Sequence, residues 1–237
     1  MTDTNYMING ILESLNEELE KNSPTLNREA KYIRKSRVTR LPQYLPIQFV
    51  RFFWKPQEQV KAKILRKVKF PLEFDATELC TPELQNKFSK AKLKIKQVQD
   101  KKVQKERDEK RRKMNSDIDK PTEPTEPTEP TEPSSTSSAM DTEEEKFDWT
   151  DYLDPELVQD VGCNPTGQYE LAAVLTHVGR SADSGHYIAW VKKAANEWHK
   201  FDDDKVSVLG DADIERLDGG GDWHTAYIVL YKAKKLE

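Results

Sequence analysis

Short apolar runs, evenly spaced and separated by turn residues, dominate the last third of the chain. Tyr169 to His177, His186 to Lys192, Trp198 to Phe201, Val206 to Leu209 and Ala226 to Tyr231 each have the length and the β-branched or aromatic content of a strand. Loop signals separate most of them: Gly179 to Gly185, Ala194 to Asn196, Asp202 to Asp204 and Gly219 to Asp222. Asp211 to Leu217 reads as a short helix with an aspartate at its start. Strands that follow one another through short loops predict an antiparallel sheet. Earlier, Ile8, Ile11, Leu12, Leu15 and Leu19 share one face of Tyr6 to Glu20, which reads as a helix or an extended piece. Pro42, Pro46, Pro56 and Pro71 break Tyr32 to Phe74 into short pieces, among which Leu45 to Trp54 is expected to be a buried strand. Thr81, Pro82 and Glu83 are a helix start, and the helix is expected to run to about Gln99.

The pattern then fails. From Lys87 to Lys113 there are thirteen Lys and Arg against four acidic residues, and past Lys101 the apolar stripe fades. Residues 121–133 read PTEPTEPTEPTEP, where a proline at every third position removes backbone donors and fixes φ. Residues 100–146 are therefore expected to be a disordered insertion, first basic and then acidic. It interrupts one domain made of 1–99 and 147–237. The basic run suits an acidic or nucleic-acid partner, but a solvated helix leading into a tether explains it as well.

Composition agrees with that division. Apolar residues make up 35% and charged residues 34% of 237, against a usual apolar share of about 45–50%. The folded parts must be richer in apolar residues than the mean. A net charge of −4 argues against a chain-wide nucleic-acid surface. No run approaches the roughly 18 apolar residues of a membrane span, and Met1 to Gly10 lacks the regions of a signal peptide. Two cysteines, Cys80 and Cys163, allow neither a disulfide framework nor a cysteine-rich zinc site. No metal or other cofactor is expected, and a reducing intracellular compartment is the default.

Among four histidines, His186 has the most informative setting. It follows Ser184-Gly185 and opens a strand, and Asp202 closes the next strand. Two adjacent antiparallel strands bring the start of one beside the end of the other. A carboxylate there can hold an imidazole in one tautomer, as the third member of a nucleophile–His–Asp set requires. A histidine at a strand end also serves structure alone, and Asp203 and Asp204 suit a turn.

Several blocks extend this reading. LTHVGRSADSGHYIAWVKKAANEWHKFDDDKVS followed by WHTAYIVLYKA resembles the histidine and aspartate boxes and the last strand of ubiquitin-specific cysteine proteases. SPTLNREAKYIRKSRVTRLPQYLPIQFVRFFW and ELCTPELQ are similar to earlier blocks of the same family, in the family's order. The resemblance implies an α+β, papain-like fold of thumb, palm and fingers, with 1–99 in the fingers and palm and 147–237 in the palm. It implies His186 as general base, Asp202 as its orienter and Asp203 as secondary support. Gly185 and Tyr187 would wall the tunnel for ubiquitin's Gly-Gly tail, and Arg180, Ser181, Ala182, Asp183 and Ser184 would form a loop over the cleft. Phe53 to Lys63 resembles a second such loop. The expected partners are ubiquitin, its conjugates and the proteasome, in the cytoplasm and the nucleus.

One departure matters. The family's nucleophile sits in a block close to G-x-T-C-[YF]-x-N, and neither cysteine here matches it. A thumb carrying that block, and a ubiquitin-like domain for docking on the proteasome, are also not found in these residues. The chain is accordingly expected to be inactive alone. The alternative to a deubiquitinase is a catalytically dead fragment that still contacts ubiquitin or regulates the complete enzyme.

Overall fold

A computed structural model describes residues 5–116, 148–179, 181, 184–221 and 223–236. The threonine–glutamate–proline repeat lies outside the described residues, as do Arg180, Ala182 and Asp183 of the expected cleft loop. The chain divides into two compact units, Met1–Ser89 with Leu153–Lys235, and Lys90–Tyr152 with the last two residues.

In chain order the first unit holds β1 (Asn5–Tyr6), α1 (Met7–Leu15), β2 (Asn16–Ser23), β3 (Arg28–Lys35), β4 (Tyr44–Gln48), β5 (Phe52–Lys55), β6 (Val60–Lys63), β7 (Val68–Lys69) and β8 (Glu73–Asp75). Helix α2 (Pro82–Ser116) begins in it, and α3 (Pro155–Gln159), β9 (Gln168–Val178), β10 (His186–Ala194), β11 (Glu197–Asp202), β12 (Lys205–Leu209), α4 (Asp211–Ile214) and β13 (Thr225–Ala233) complete it. Seven strands form one sheet in the order β12-β11-β10-β9-β13-β4, with β8 also on β9. Every pairing in it is antiparallel. The five strands expected from the apolar runs are β9 to β13, each within a few residues of its expected bounds. Two hairpins, β2–β3 and β5–β6, and a parallel pair, β1–β7, stand apart from the sheet.

Alternation along the strands sets the core. On β9, Tyr169, Leu171 and Val174 are buried, and on β13 Ala226, Val229 and Tyr231. Trp198, fully buried on β11, donates its indole Nε1–H to Asp211 Oδ1 at 2.6 Å. Asp211 is thus held by the sheet, and Gly210 takes the position ahead of α4. Without a thumb, the faces of β9 and β13 are expected to lie open, with Leu171, Val174, Ile228, Leu230 and Tyr231 as candidates, but Leu171, Val174 and Tyr231 are 0%, 1% and 0% exposed. Tyr231 packs on Phe74 at 5.4 Å between centroids and donates its hydroxyl to Pro71 O at 2.7 Å. Only Ile228 and Leu230 of that set are half-buried. These residues belong to the core of this chain.

Leu45 to Trp54 is not one buried strand. It divides into β4 and β5, and Val50 between them is exposed. The cause is Arg51, which is buried and donates to Arg66 O at 2.6 Å, Ala226 O at 3.0 Å and Asp218 O at 3.4 Å. A guanidinium that must reach three carbonyls turns the chain out of the sheet.

The expected end of α2 near Gln99 is also corrected, because the helix continues to Ser116. From Gln99 to Arg112 every side chain is exposed, so no packing sustains it. Lys, Arg, Glu and Gln are strong helix formers, and Lys102/Glu106, Lys105/Glu109, Glu106/Lys110 and Asp108/Arg112 stand four residues apart with opposite charge. Gln104 donates to Asp108 Oδ1 at 3.4 Å in the same spacing. Residues 100–116 of the expected insertion are therefore helical and not disordered.

Candidate active site

Register brings His186 and Asp202 together. On β10 and β11, Ala189 faces Phe201. Continuing that register sets Asp202 opposite Ile188, and His186 stands two residues earlier on the same face. Diagonal neighbours of this kind are within reach of long side chains. His186 Nε2 lies 2.7 Å from Asp202 Oδ1 and 4.0 Å from Asp203 Oδ2. A carboxylate accepts, so Nε2 carries the ring proton and Nδ1 keeps the lone pair. That is the tautomer of a general base acting through Nδ1.

Asp202 has a second partner that spacing did not suggest. Lys200 Nζ lies 2.9 Å from Asp202 Oδ2. Strand alternation puts residues 200 and 202 on one face, which is the only trace of this pair in the sequence. The Lys200 ammonium first, and the His186 ring second, hold the Asp202 carboxyl below the usual carboxylate value.

The approach to His186 is tight. Gly185 has φ +145°, and a Cβ there would fall 2.3 Å from His177 Nε2 and 2.4 Å from the Val178 carbonyl oxygen. Only glycine fits. His177 is buried beneath, with its ring 4.8 Å from that of Tyr187 and 5.4 Å from that of Phe52. Tyr187 itself points to the sheet face opposite His186 and is half exposed. Lys63 Nζ donates to His177 O and Gly179 O, each at 2.9 Å, tying the β5–β6 hairpin to the end of β9. Ala62 and Ser181 form an antiparallel bridge, so the two segments expected as cleft loops meet. His177 and Lys63 were not singled out from the sequence, because their partners are distant along the chain or are backbone atoms.

Neither cysteine is near this end. Ala76 N donates to Gly167 O and Asn164 Nδ2 to Gln168 O, so Cys80 and Cys163 sit by the start of β9, whereas Val178 at its end faces His186. The strand between is roughly 30 Å long at about 3.3 Å per residue. Burial pushes the Cys80 thiol up to about 11 and raises that of Cys163. Both are buried, inert thiols.

Ligand atoms of His186, Asp202 and Asp203 lie within 4.8 Å of one another. The Lys200 ammonium on Asp202 already supplies the positive charge there, so the group reads as a hydrogen-bonded dyad.

Two buried histidines make stability depend on pH. Burial, the larger cause, holds His177 and His224 below the ordinary 6.5, with Lys63 adding to the first and Lys200 to the second. For each, the unfolded chain binds a proton that the folded chain resists. Stability is thus present above pH 6.5 and lost as pH falls below it, by up to about 1.4 kcal/mol per pH unit for each histidine. Urea midpoints at pH 7.5 and 5.5 test this, and equal midpoints would contradict it.

A histidine–aspartate dyad at the end of an antiparallel sheet, with Nδ1 left to accept a proton, is an arrangement able to serve as the acid–base part of a hydrolase site. The family model described as ubiquitin carboxyl-terminal hydrolase matches residues 3–231, and the chain belongs to that family. It is 45% identical to ubiquitin carboxyl-terminal hydrolase 6 of Schizosaccharomyces pombe over 98% of this chain and 47% of that protein. Identity to ubiquitin carboxyl-terminal hydrolase 14 of Caenorhabditis elegans is 34%, over 99% of this chain and 43% of that one. The chain thus spans about half the length of the curated relatives it matches. Among solved structures, the SAGA Ubp8/Sgf11/Sus1/Sgf73 DUB module bound to ubiquitin aldehyde matches with TM-score 0.52 at 15% identity, over 100% of this chain and 35% of that one. That likeness bears out the papain-like α+β fold of ubiquitin-specific proteases.

Proposed function

We propose that this chain supplies the base and orienter of a thiol-dependent ubiquitin C-terminal hydrolase, the nucleophilic cysteine coming from polypeptide outside these 237 residues. The observation that supports it most is the 2.7 Å contact of His186 Nε2 with Asp202, which leaves Nδ1 as the base. His186 Nδ1 takes the thiol proton, and the thiolate attacks the carbonyl carbon of ubiquitin's last glycine. The imidazolium, held by Asp202, returns the proton to the departing amine, and a thioester remains. Water, deprotonated by the same ring, then releases the carboxylate and the thiol. Gly185 and Tyr187 wall the path of the tail, and Ser181 and Ser184 belong to a loop over it. A tail without side chains is what a narrow passage selects.

Within the same proposal the partners are ubiquitin conjugates, with a link to proteasomal degradation and a place in the cytoplasm and nucleus. The burial of both cysteines favours a second statement about the isolated chain: it binds ubiquitin without cleaving it. The chain alone is expected to leave a ubiquitin C-terminal amide reporter intact and to resist a ubiquitin-based thiol probe. Fusion to the portion of the S. pombe relative that it does not cover is expected to produce hydrolysis. Probe labelling of Cys80 or Cys163, or a silent fusion that is folded, would overturn the reading.

A further inference from the structure

Lys200 has no part in the chemistry just described, yet it touches the dyad. Its side chain is only 22% exposed, and its ammonium lies 2.9 Å from Asp202 Oδ2 and 5.6 Å from the centre of the Trp190 ring. Trp190 is buried and donates its indole N–H to Thr176 Oγ1 at 3.0 Å, so the aromatic surface under the ammonium is fixed. We infer that Lys200 is a positioning residue that clamps one oxygen of Asp202 and turns the other toward His186.

The physical case has two parts. A carboxylate on a free χ2 presents either oxygen to His186, and a lysine held on Trp190 removes that freedom by engaging Oδ2. The clamp also sets charge. An imidazolium next to Asp202 meets a carboxylate whose charge is shared with an ammonium on its far side. The cation therefore weakens the field that Asp202 presents to His186, and its removal strengthens that field.

The other titratable groups near the ring are Asp203 on the same turn and His224 ahead of β13. Lys200 also acts on His224, so the His224 resonances are followed in the same titration. The significance for catalysis rests on His186 being the general base, but the measurement does not.

The test is a pH titration of the histidine ring resonances in the full chain, with His186 assigned through His186→Gln. Lys200→Met keeps an unbranched side chain and removes the charge. The His186 midpoint is expected to move to higher pH by about 0.5–1 unit, while that of His199 on the outer sheet face stays within about 0.2 unit. Lys200→Arg restores a cation and should return the midpoint to within about 0.2 unit of the parent. An unmoved midpoint in Lys200→Met, or an arginine variant that behaves like methionine, overturns the inference. Lys200→Gln serves as a second neutral variant, and unfolding of both neutral variants would show that Lys200 holds the fold instead. Failure here leaves His186 as base intact, whereas a complemented His186→Ala enzyme of full activity sinks the base and not the clamp.

Discussion

His186→Ala, in an enzyme completed with a nucleophile-bearing segment, is expected to lower kcat about 10³-fold with little change in ubiquitin binding. In the proposed mechanism the ring takes the thiol proton and returns it to the leaving amine, and alanine performs neither task. Asp202→Ala should cost less, because Asp203 Oδ2 already lies 4.0 Å from the same Nε2. Asp203 is mostly exposed and solvent screens it, so it substitutes only in part. Single-turnover cleavage of a ubiquitin amide reporter separates the chemical step from binding. Equal losses in the two variants would mean that Asp203 gives no support. Full activity in His186→Ala would place the base elsewhere.

The second large effect concerns the fold. Trp198→Ala is expected to destabilise the chain by about 3–5 kcal/mol. The ring is fully buried on β11, and its N–H anchors Asp211 at the start of α4. Alanine leaves a cavity and unties α4 from the sheet in one step. Against a net stability of about 5–15 kcal/mol, that loss takes much of the margin. Trp223→Ala is the control. Trp223 is 65% exposed, and its removal should cost no more than about 0.5 kcal/mol. Denaturant midpoints for both variants at constant pH decide the matter, and a Trp198→Ala chain as stable as the parent would contradict the packing described.

The stability of the strands that were expected to lie open has the same origin. Tyr231 and Leu171 read as candidates for a face that another part of the family's domain would cover. Phe74 and Pro71 cover Tyr231, and the backbone of Leu72 accepts from Leu171 N at 2.7 Å. These covering residues lie about a hundred positions or more away along the chain, so no local pattern announces them.

What the sequence by itself determined is whatever depends on near neighbours. Alternation and turn residues defined β9 to β13, since side chains on a strand repeat every second residue and glycine or aspartate marks the reversals. A short loop between two such strands already implied that His186 meets Asp202. The ordered blocks around them carried the family. What only the tertiary structure decided depends on distant partners or on the absence of any. Arg51 breaks Leu45 to Trp54 because its carbonyl partners belong to Arg66, Asp218 and Ala226. Helix α2 runs to Ser116 on intrinsic propensity and charge spacing, after its apolar stripe has ended. The cysteines are set beside the far end of β9 from His186, by contacts that join residues 76 to 167 and 164 to 168. Lys200 meets Asp202 with a fixed tryptophan under its ammonium, and a two-residue spacing shows the shared face but not the partner.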